Sequence, residues 1–113
     1  MDTTDLSSRH CRPHAPGTRA LGHDEARALL AQVPGWVLDE TAGSITRDFR
    51  FADYYKTMAF VNALAWIAHR EDHHPDMEVG YNHCQVRYST HSAGGLTEND
   101  FICAARINRL LDG

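Results

Sequence analysis

The segment 52–71 carries the strongest helical signal of the chain and constrains its fold more than any other feature. Its apolar residues recur at the 3.6-residue spacing of an α-helix, which predicts that they face a core. They are Tyr54, Met58, Val61, Leu64, Ala65 and Ala68. A second, mixed face consists of Tyr55, Asn62, Trp66 and His69. Exposed Tyr and Trp on a regular helix indicate a subunit interface or a ligand wall, whereas a Trp66 that closes the edge of the core is the simpler alternative.

A pair of short strands is predicted on either side of this helix. Before it, strands near 36–40 and 45–51 flank a turn at 42–43. After it, strands are predicted near 77–81 and 83–90. Apolar and polar side chains alternate along the second strand of each pair, which indicates a hairpin with one buried face.

Two further helices complete the predicted order. The first spans about 24–33, with acidic residues at its start and a Pro-Gly pair at its end. The last spans about 98–111, and Thr97 with Asp100 has the spacing of a capping box. The order α-β-β-α-β-β-α predicts an α+β fold, in which a four-stranded antiparallel sheet has its helices packed on one face.

The length of 113 residues fits one domain and leaves no room for a second core. Residues 1–22 are rich in Ser, Thr, Pro, Arg and His and have no apolar periodicity, which predicts a flexible N-terminal tail. Residues 23–113 are predicted to form the folded domain.

The charge and hydropathy of the chain argue against two classes of partner. A net charge of −4 and scattered basic residues do not favour nucleic acid, which requires clustered Lys and Arg. No apolar stretch approaches the roughly 18–20 residues of a membrane span. The N-terminus lacks the pattern of a secretory signal, and three widely separated cysteines are a poor disulfide framework. We therefore expect a cytoplasmic protein with reduced thiols.

Eight histidines are the one anomaly of the composition, and the densest patch is His73-His74-Pro75, followed later by His91. Imidazole can accept or donate a proton near neutral pH, so histidines in one pocket could serve as the acid and the base of an elimination. Pro75 restricts the backbone and would hold the pair rigidly. Solvated histidines that cap helix carbonyls are the simpler alternative.

A metal site is the competing interpretation of His73, His74 and His91. Adjacent residues of an extended chain point to opposite sides, so His73 and His74 cannot easily share one ion. A second group, His10-Cys11 with His14, falls in the predicted tail. Neither Cys84 nor Cys103 has an obvious base in sequence, and the Gly94-Gly95 loop lacks the lysine and spacing of a phosphate loop. We therefore predict no metal and no cofactor.

These motifs together resemble the pterin-4a-carbinolamine dehydratase family. The resemblance rests on 72–76, Tyr81-Asn82, Ser89-Thr90-His91 and 95–101, with Gly35-Trp36 and the aromatic residues Phe49, Phe51 and Tyr54 upstream. It covers roughly 24–111. It implies that 4a-hydroxytetrahydropterin loses water to give quinonoid dihydropterin, which recycles the cofactor of aromatic amino-acid hydroxylases. It also implies a homodimer or homotetramer in which the long helices pack together, which would use the Tyr55 and Trp66 face.

The resemblance also implies the site. His73, His74 and His91 match the active-site histidines, one protonating the 4a-hydroxyl while another takes the N5 proton. Asp100 matches a family aspartate that orients a histidine, although its role in the capping box is an equal alternative. The predicted substrate-binding residues are Trp36, Glu71, Asp72, Pro75, Ser89, Thr90 and Asp100.

One departure from the family pattern affects this assignment. Four residues before the histidine doublet the family usually carries a glutamate, whereas this chain has His69, and Glu71 is the candidate replacement. A family member without catalysis, such as a pterin-binding protein or a dimerisation cofactor for a transcription factor, is therefore the alternative function.

Overall fold

The seven predicted elements are all present in the computed structural model, which describes residues 5–41 and 43–112. The helices are α1 (His23–Leu30), α2 (Tyr54–Glu71) and α3 (Glu98–Arg109), and the strands are β1 (Val37–Asp39), β2 (Ser44–Arg50), β3 (Asp76–Val79) and β4 (His83–Tyr88). This order confirms the α+β prediction. Ala42 of the predicted turn lies outside the described residues, as do 1–4 and 113.

The four strands form one antiparallel sheet in the order β1-β2-β4-β3. The two central strands set its register, with Ile45 opposite Tyr88 and Phe49 opposite Cys84. These four side chains are buried beneath the helices, whereas Gln85 and Arg87 on the other face of β4 are exposed. Alternation with period two therefore gives the sheet one packed face and one solvated face, as predicted.

Helix α2 packs with a different phase from the one predicted. The residues that it buries are Thr57, Phe60, Leu64, Ala68 and Glu71. Tyr54 and Ala65, predicted to face the core, are exposed. The Phe60 ring contacts those of Phe49 and Phe51, with centroids 4.6 and 5.0 Å away, and this contact selects the buried face. No helix within the described ranges is long and apolar enough to cross a membrane.

Residues 5–22 lie against the domain. Leu6 is fully buried in the core and packs beside α3, and the guanidinium of Arg106 donates to the backbone carbonyl of Arg9 at 2.8 Å. The backbone N–H of Leu21 donates to the carbonyl of Leu96 at 2.8 Å. The sequence pattern does not predict these contacts, and the flexibility of residues 1–22 stays a prediction.

Replacing Leu6 with alanine tests whether the N-terminal segment belongs to the core. We expect Leu6→Ala to lower the free energy of unfolding by about 2–5 kcal/mol, because it empties a buried leucine site. The matched control is Leu111→Ala, since Leu111 is 47% exposed and its truncation should cost less than about 0.5 kcal/mol. Urea unfolding measures both variants, and equal losses would contradict the packing of Leu6.

Candidate active site

The end of α2 positions His73. Asp72 adopts the left-handed conformation with φ of 52°, the one positive φ of a non-glycine residue among the described residues. Its N–H caps the carbonyls of Ala68 and His69, and the N–H of His73 donates to Ala68 at 3.1 Å. Because aspartate tolerates this conformation better than most side chains, the helix ends in a sharp reversal. The reversal directs His73 back towards α3.

His73 forms a short ion pair with Asp100. Its Nε2 lies 2.6 Å from Oδ1 of Asp100, a carboxylate that is completely buried. Burial of the imidazole opposes its charged form, but the hydrogen bond and negative charge of Asp100 outweigh burial, so the pKa of His73 is raised. His73 therefore keeps its proton to a higher pH than an ordinary histidine.

The second oxygen of Asp100 is held by the start of α3 and the turn after β4. Oδ2 accepts from the backbone N–H of Thr97 at 2.9 Å and from the hydroxyl of Thr90 at 2.8 Å. The hydroxyl groups of Thr90 and Thr97 are themselves 2.9 Å apart. Asp100 thus serves as a capping residue and as the partner of His73, so the two alternatives left by the sequence coexist.

Two cavities meet at His73. The first, about 370 Å³, is shared by His73, Glu71, Asp72, Thr90 and residues of the N-terminal segment. The second, about 330 Å³, is lined by Leu64, Ala65, Ala68, His69, Asp72, His73, His74, Pro75 and Met77. His73 and Asp72 are common to both, so the predicted residues after α2 gather at the junction of two solvent-accessible spaces.

His91 and Ser89 line neither cavity, although their chain neighbours Thr90 and Ser92 line the first. His91 begins a short turn, His91–Ala93, and is exposed. It forms no side-chain hydrogen bond or ion pair in the part of the chain that the structure describes, and it lines neither cavity. Ser89 is half-buried and also lines neither cavity. His73 and His74 thus line a common cavity, whereas His91 is exposed beside the first cavity without lining it.

Trp36 lies in the core behind the site. It is 5% exposed, and its indole N–H donates to Asn108 at 2.8 Å. Its ring contacts Tyr88 with centroids 6.3 Å apart, and Tyr88 stacks on the His73 ring at 5.2 Å. The Tyr88 hydroxyl donates to the His73 carbonyl at 3.1 Å. Trp36 thus supports His73 through Tyr88 and does not line either cavity.

Glu71 holds the N-terminal segment. Its carboxylate accepts from the N–H of Cys11 at 2.6 Å, lies 2.9 Å from Nδ1 of His10 and faces Arg106 at 3.6 Å. Burial opposes its charge, but these partners outweigh burial and lower the pKa of Glu71. The Cys11 thiol lies 3.5 Å from that of Cys103. The carboxylate that could have replaced the family glutamate is therefore occupied by residues 10 and 11.

The N-terminal segment supplies site residues that were not predicted from the sequence. Cys11, Arg12, Pro13 and His14 line the first cavity. Asn99 fixes this segment, because its side chain bonds both the N–H of Arg12 at 3.1 Å and the Arg12 carbonyl at 2.8 Å. The sequence signal for these residues is the histidine and cysteine content of 10–14, a composition that also fits a metal motif.

Within the part of the chain that the structure describes, the histidines, cysteines and carboxylates do not gather in the manner of a metal centre. Within 5–41 and 43–112, no group of three such side chains is arranged to hold a metal ion. The His73–Asp100 pair offers proton transfer by an imidazole that a buried carboxylate supports.

Comparison with known proteins identifies relatives of the whole chain. The model of the family described as pterin 4 alpha carbinolamine dehydratase matches residues 19–110. Proteins of Xanthomonas campestris pv. campestris and Xanthomonas oryzae pv. oryzae, provisionally named pterin-4-alpha-carbinolamine dehydratases, are 60% identical over 111 residues. The match covers 98% of this chain and 94% of each relative.

Two solved structures share the fold. A transcriptional coactivator/pterin dehydratase from Brucella melitensis is 33% identical with a TM-score of 0.78, over 81% of this chain and 98% of that one. A pterin dehydratase-like protein described as a RuBisCO assembly factor in the alpha-carboxysome is 22% identical with a TM-score of 0.61, over 70% of this chain and 92% of that one. The second similarity concerns the fold alone.

The His73–Asp100 pair predicts a pH dependence of stability. Since the pKa of His73 is raised in the folded state, the folded protein binds more protons than the unfolded one above the unfolded pKa of about 6.5. The contribution of the His73–Asp100 pair to the free energy of unfolding is complete below the unfolded pKa. It is lost as the pH rises through the pKa of His73 in the folded protein. We expect His73→Gln to flatten this fall in the free energy of unfolding.

Urea unfolding over a pH series measures the effect. His74→Gln is the matched control, because His74 is an exposed neighbour without an ion pair among the described residues, and it should keep the wild-type slope. If the free energy of unfolding of His73→Gln depended on pH as it does in the wild type, a raised pKa at His73 would be contradicted.

Proposed function

Because the chain belongs to the pterin 4 alpha carbinolamine dehydratase family, we propose that it eliminates water from 4a-hydroxytetrahydropterin to give quinonoid dihydropterin. The observation that carries this proposal is the His73–Asp100 pair at the junction of two cavities. It supplies a proton-transfer group, oriented by a buried carboxylate, with space for a small heterocycle beside it.

The proposed reaction needs one acid and one base. The C4a–O bond breaks as the acid protonates the departing hydroxyl, which leaves as water. The base removes the proton of N5, and the electrons of the N–H bond form the double bond between N5 and C4a. No oxidant or reductant takes part, which is consistent with our expectation that no cofactor is required.

We assign the role of acid to His73. Its raised pKa favours the protonated imidazole, which is the form that donates a proton to the hydroxyl. Nε2 is bound to Asp100, so Nδ1 is the atom that would exchange the proton. The resemblance gives two candidates for the base, His74 beside the second cavity and His91 outside it.

The remaining predicted residues differ in their position relative to the two cavities. Asp72, Pro75 and Thr90 line one or both cavities and are proposed to contact the pterin. Glu71 lines the first cavity, where its role would be to hold the N-terminal wall. For Trp36 we propose support of His73 through Tyr88. For Ser89, the family resemblance alone supports a role in binding the substrate.

We propose that this reaction recycles tetrahydrobiopterin for an aromatic amino-acid hydroxylase in the cytoplasm. The product, a quinonoid dihydropterin, has to be reduced before it can serve a hydroxylase again. The proposed enzyme would therefore act between a hydroxylase and a reductase, with a small pterin as its partner.

A dehydration assay with freshly generated 4a-hydroxytetrahydropterin tests the function. We expect wild-type protein to accelerate formation of the quinonoid product, and His73→Gln to lower kcat by about 100-fold or more, as for loss of a general acid. Comparison of His74→Gln with His91→Gln identifies the base, which should be the variant with the larger loss of kcat.

His83→Gln is the control, because His83 lies on β4 and lines neither cavity at His73. It should keep wild-type kcat, and a chelator should leave all rates unchanged. A wild-type rate equal to the uncatalysed background would contradict the proposed activity.

The chain is also proposed to associate through α2, as a homodimer or homotetramer. Tyr55 is 80% exposed and Trp66 is 60% exposed on the same face of this helix. Large aromatic side chains on a regular surface are typical of the core of a subunit interface. A charge at Trp66 would oppose its burial between subunits.

Sedimentation of Trp66→Glu tests this interface. We expect a smaller mass than that of the wild type, because a buried unpaired carboxylate is costly. Arg19→Gln makes the same change of one unit in net charge in an exposed loop and should leave the mass unchanged. An unchanged mass in Trp66→Glu would exclude this face as the interface.

A protein that binds partners without catalysis is the second candidate function, and the exposed Tyr55 and Trp66 face favours it. The Brucella melitensis relative is described as a transcriptional coactivator as well as a pterin dehydratase. A wild-type rate at background, combined with a mass shift in Trp66→Glu, would support this second function.

A further inference from the structure

We infer that Cys11 and Cys103 form an oxidation site, at which a hydroperoxide converts the two thiols into a reversible disulfide. The two sulfur atoms lie 3.5 Å apart, although the residues are separated by 92 positions in the chain. Both thiols are free in the structure. The proposed mechanism uses neither thiol, so the disulfide is independent of the proposed function.

A small movement would bring the two sulfur atoms to bonding distance. The S–S bond of a disulfide is about 2.05 Å long, so atoms at 3.5 Å have to approach by about 1.5 Å. Cys103 lies on α3 and is completely buried, which holds it in place. Cys11 lies in a segment that is neither helix nor strand. Rotation of its side chain and a local adjustment of its backbone can therefore supply the approach.

Cys11 is the member of the pair that an oxidant can reach. It is half-buried and lines the first cavity, of about 370 Å³, which is large enough to admit hydrogen peroxide. Cys84, the third cysteine, is buried on β4 and forms no hydrogen bond to either thiol within the described residues. Oxidation therefore begins at Cys11, and Cys103 is the thiol within its reach.

The contact between the two thiols prepares them for reaction. The hydrogen bond from the Cys11 thiol lowers the pKa of Cys103, although burial of Cys103 raises it. The same contact raises the pKa of Cys11. When the pair has lost one proton, the remaining proton therefore lies on Cys11, and the Cys103 thiolate beside it is the base that accepts this proton.

Oxidation by hydrogen peroxide takes two steps. The Cys11 sulfur attacks one oxygen, the O–O bond breaks and hydroxide leaves, while the thiol proton passes to Cys103, so Cys11 becomes a sulfenic acid. The Cys103 sulfur then attacks the Cys11 sulfur. The S–S bond forms as the S–O bond breaks, and the hydroxyl group leaves as water with the proton of Cys103. The two sulfur atoms together lose two electrons, which reduce the peroxide.

The disulfide would attach the wall of the first cavity covalently to α3. In the reduced protein, hydrogen bonds to Glu71 and Asn99 hold residues 11 and 12. Cys103 follows Asp100 by three residues on α3, so the bond would join this wall to the helix that carries the partner of His73. A cross-link between positions 92 residues apart also restricts the unfolded chain, which stabilises the folded protein.

Peptide mapping without a reductant tests for the bond. The reduced protein is treated with hydrogen peroxide, its remaining thiols are alkylated in denaturant, and it is digested with trypsin. We expect peptide 10–19 to be joined to peptide 88–106, with a mass two hydrogen atoms below their sum. Dithiothreitol should separate the two peptides. Cys84, in peptide 71–87, is the internal control and should be recovered alkylated.

Three results of the mapping would overturn the inference. They are absence of the joined peptides after peroxide treatment, a disulfide that includes Cys84, and a bond between two chains. A denaturing gel without reductant distinguishes the last case, because an internal disulfide leaves the protein at the mass of a single chain.

Urea unfolding is a second measurement, in which each protein is compared with its own reduced form. We expect peroxide to raise the urea midpoint of the wild type by about 1 M or more. Cys11→Ser should show no rise, because it lacks one of the two thiols. Cys84→Ala is the matched control and should keep the rise. An equal rise in Cys11→Ser, or no rise in wild-type protein that carries the bond, would overturn the inference.

Discussion

The arrangement of the site depends on one buried charge. Asp100 is completely buried, and an ionised carboxylate in a protein interior is costly unless it is paired and hydrogen-bonded. Its donors are His73 after α2, Thr90 after β4 and the backbone of Thr97 before α3. Stabilising this single carboxylate therefore joins three elements and gives the imidazole of His73 a fixed orientation and a raised pKa.

Local patterns explain why the order of elements could be predicted from the sequence. Period-two alternation along 45–51 and 83–90 depends only on neighbouring residues, and it fixes which face of each strand is buried. The spacing of Thr97 and Asp100 likewise predicts the start of α3 from four consecutive residues. The helical spacing of apolar residues is also a local pattern. Because this spacing ends just before His73 and His74, the sequence predicts that they follow the end of α2.

Long-range contacts explain what the sequence could not provide. Helical spacing gives a period but not a phase, and the contact of Phe60 with β2 turns the buried face of α2 away from Tyr54. Leu6 is a single apolar residue without periodicity, and its burial depends on α3, about a hundred positions away in the chain. The position of His14 beside Thr97 depends in the same way on Asn99.

His69, which stands where the family usually has a glutamate, contacts both the proposed subunit interface on α2 and the cavity at His74. The carboxylate of Glu71 is bound by His10, Cys11 and Arg106, and within the described residues it pairs with none of the three predicted catalytic histidines. The His69 ring instead lies 5.5 Å from that of Trp66 and lines the cavity of His74. A subunit that covered Trp66 would therefore also fix one wall of that cavity, so association through α2 and binding at the site would share this residue.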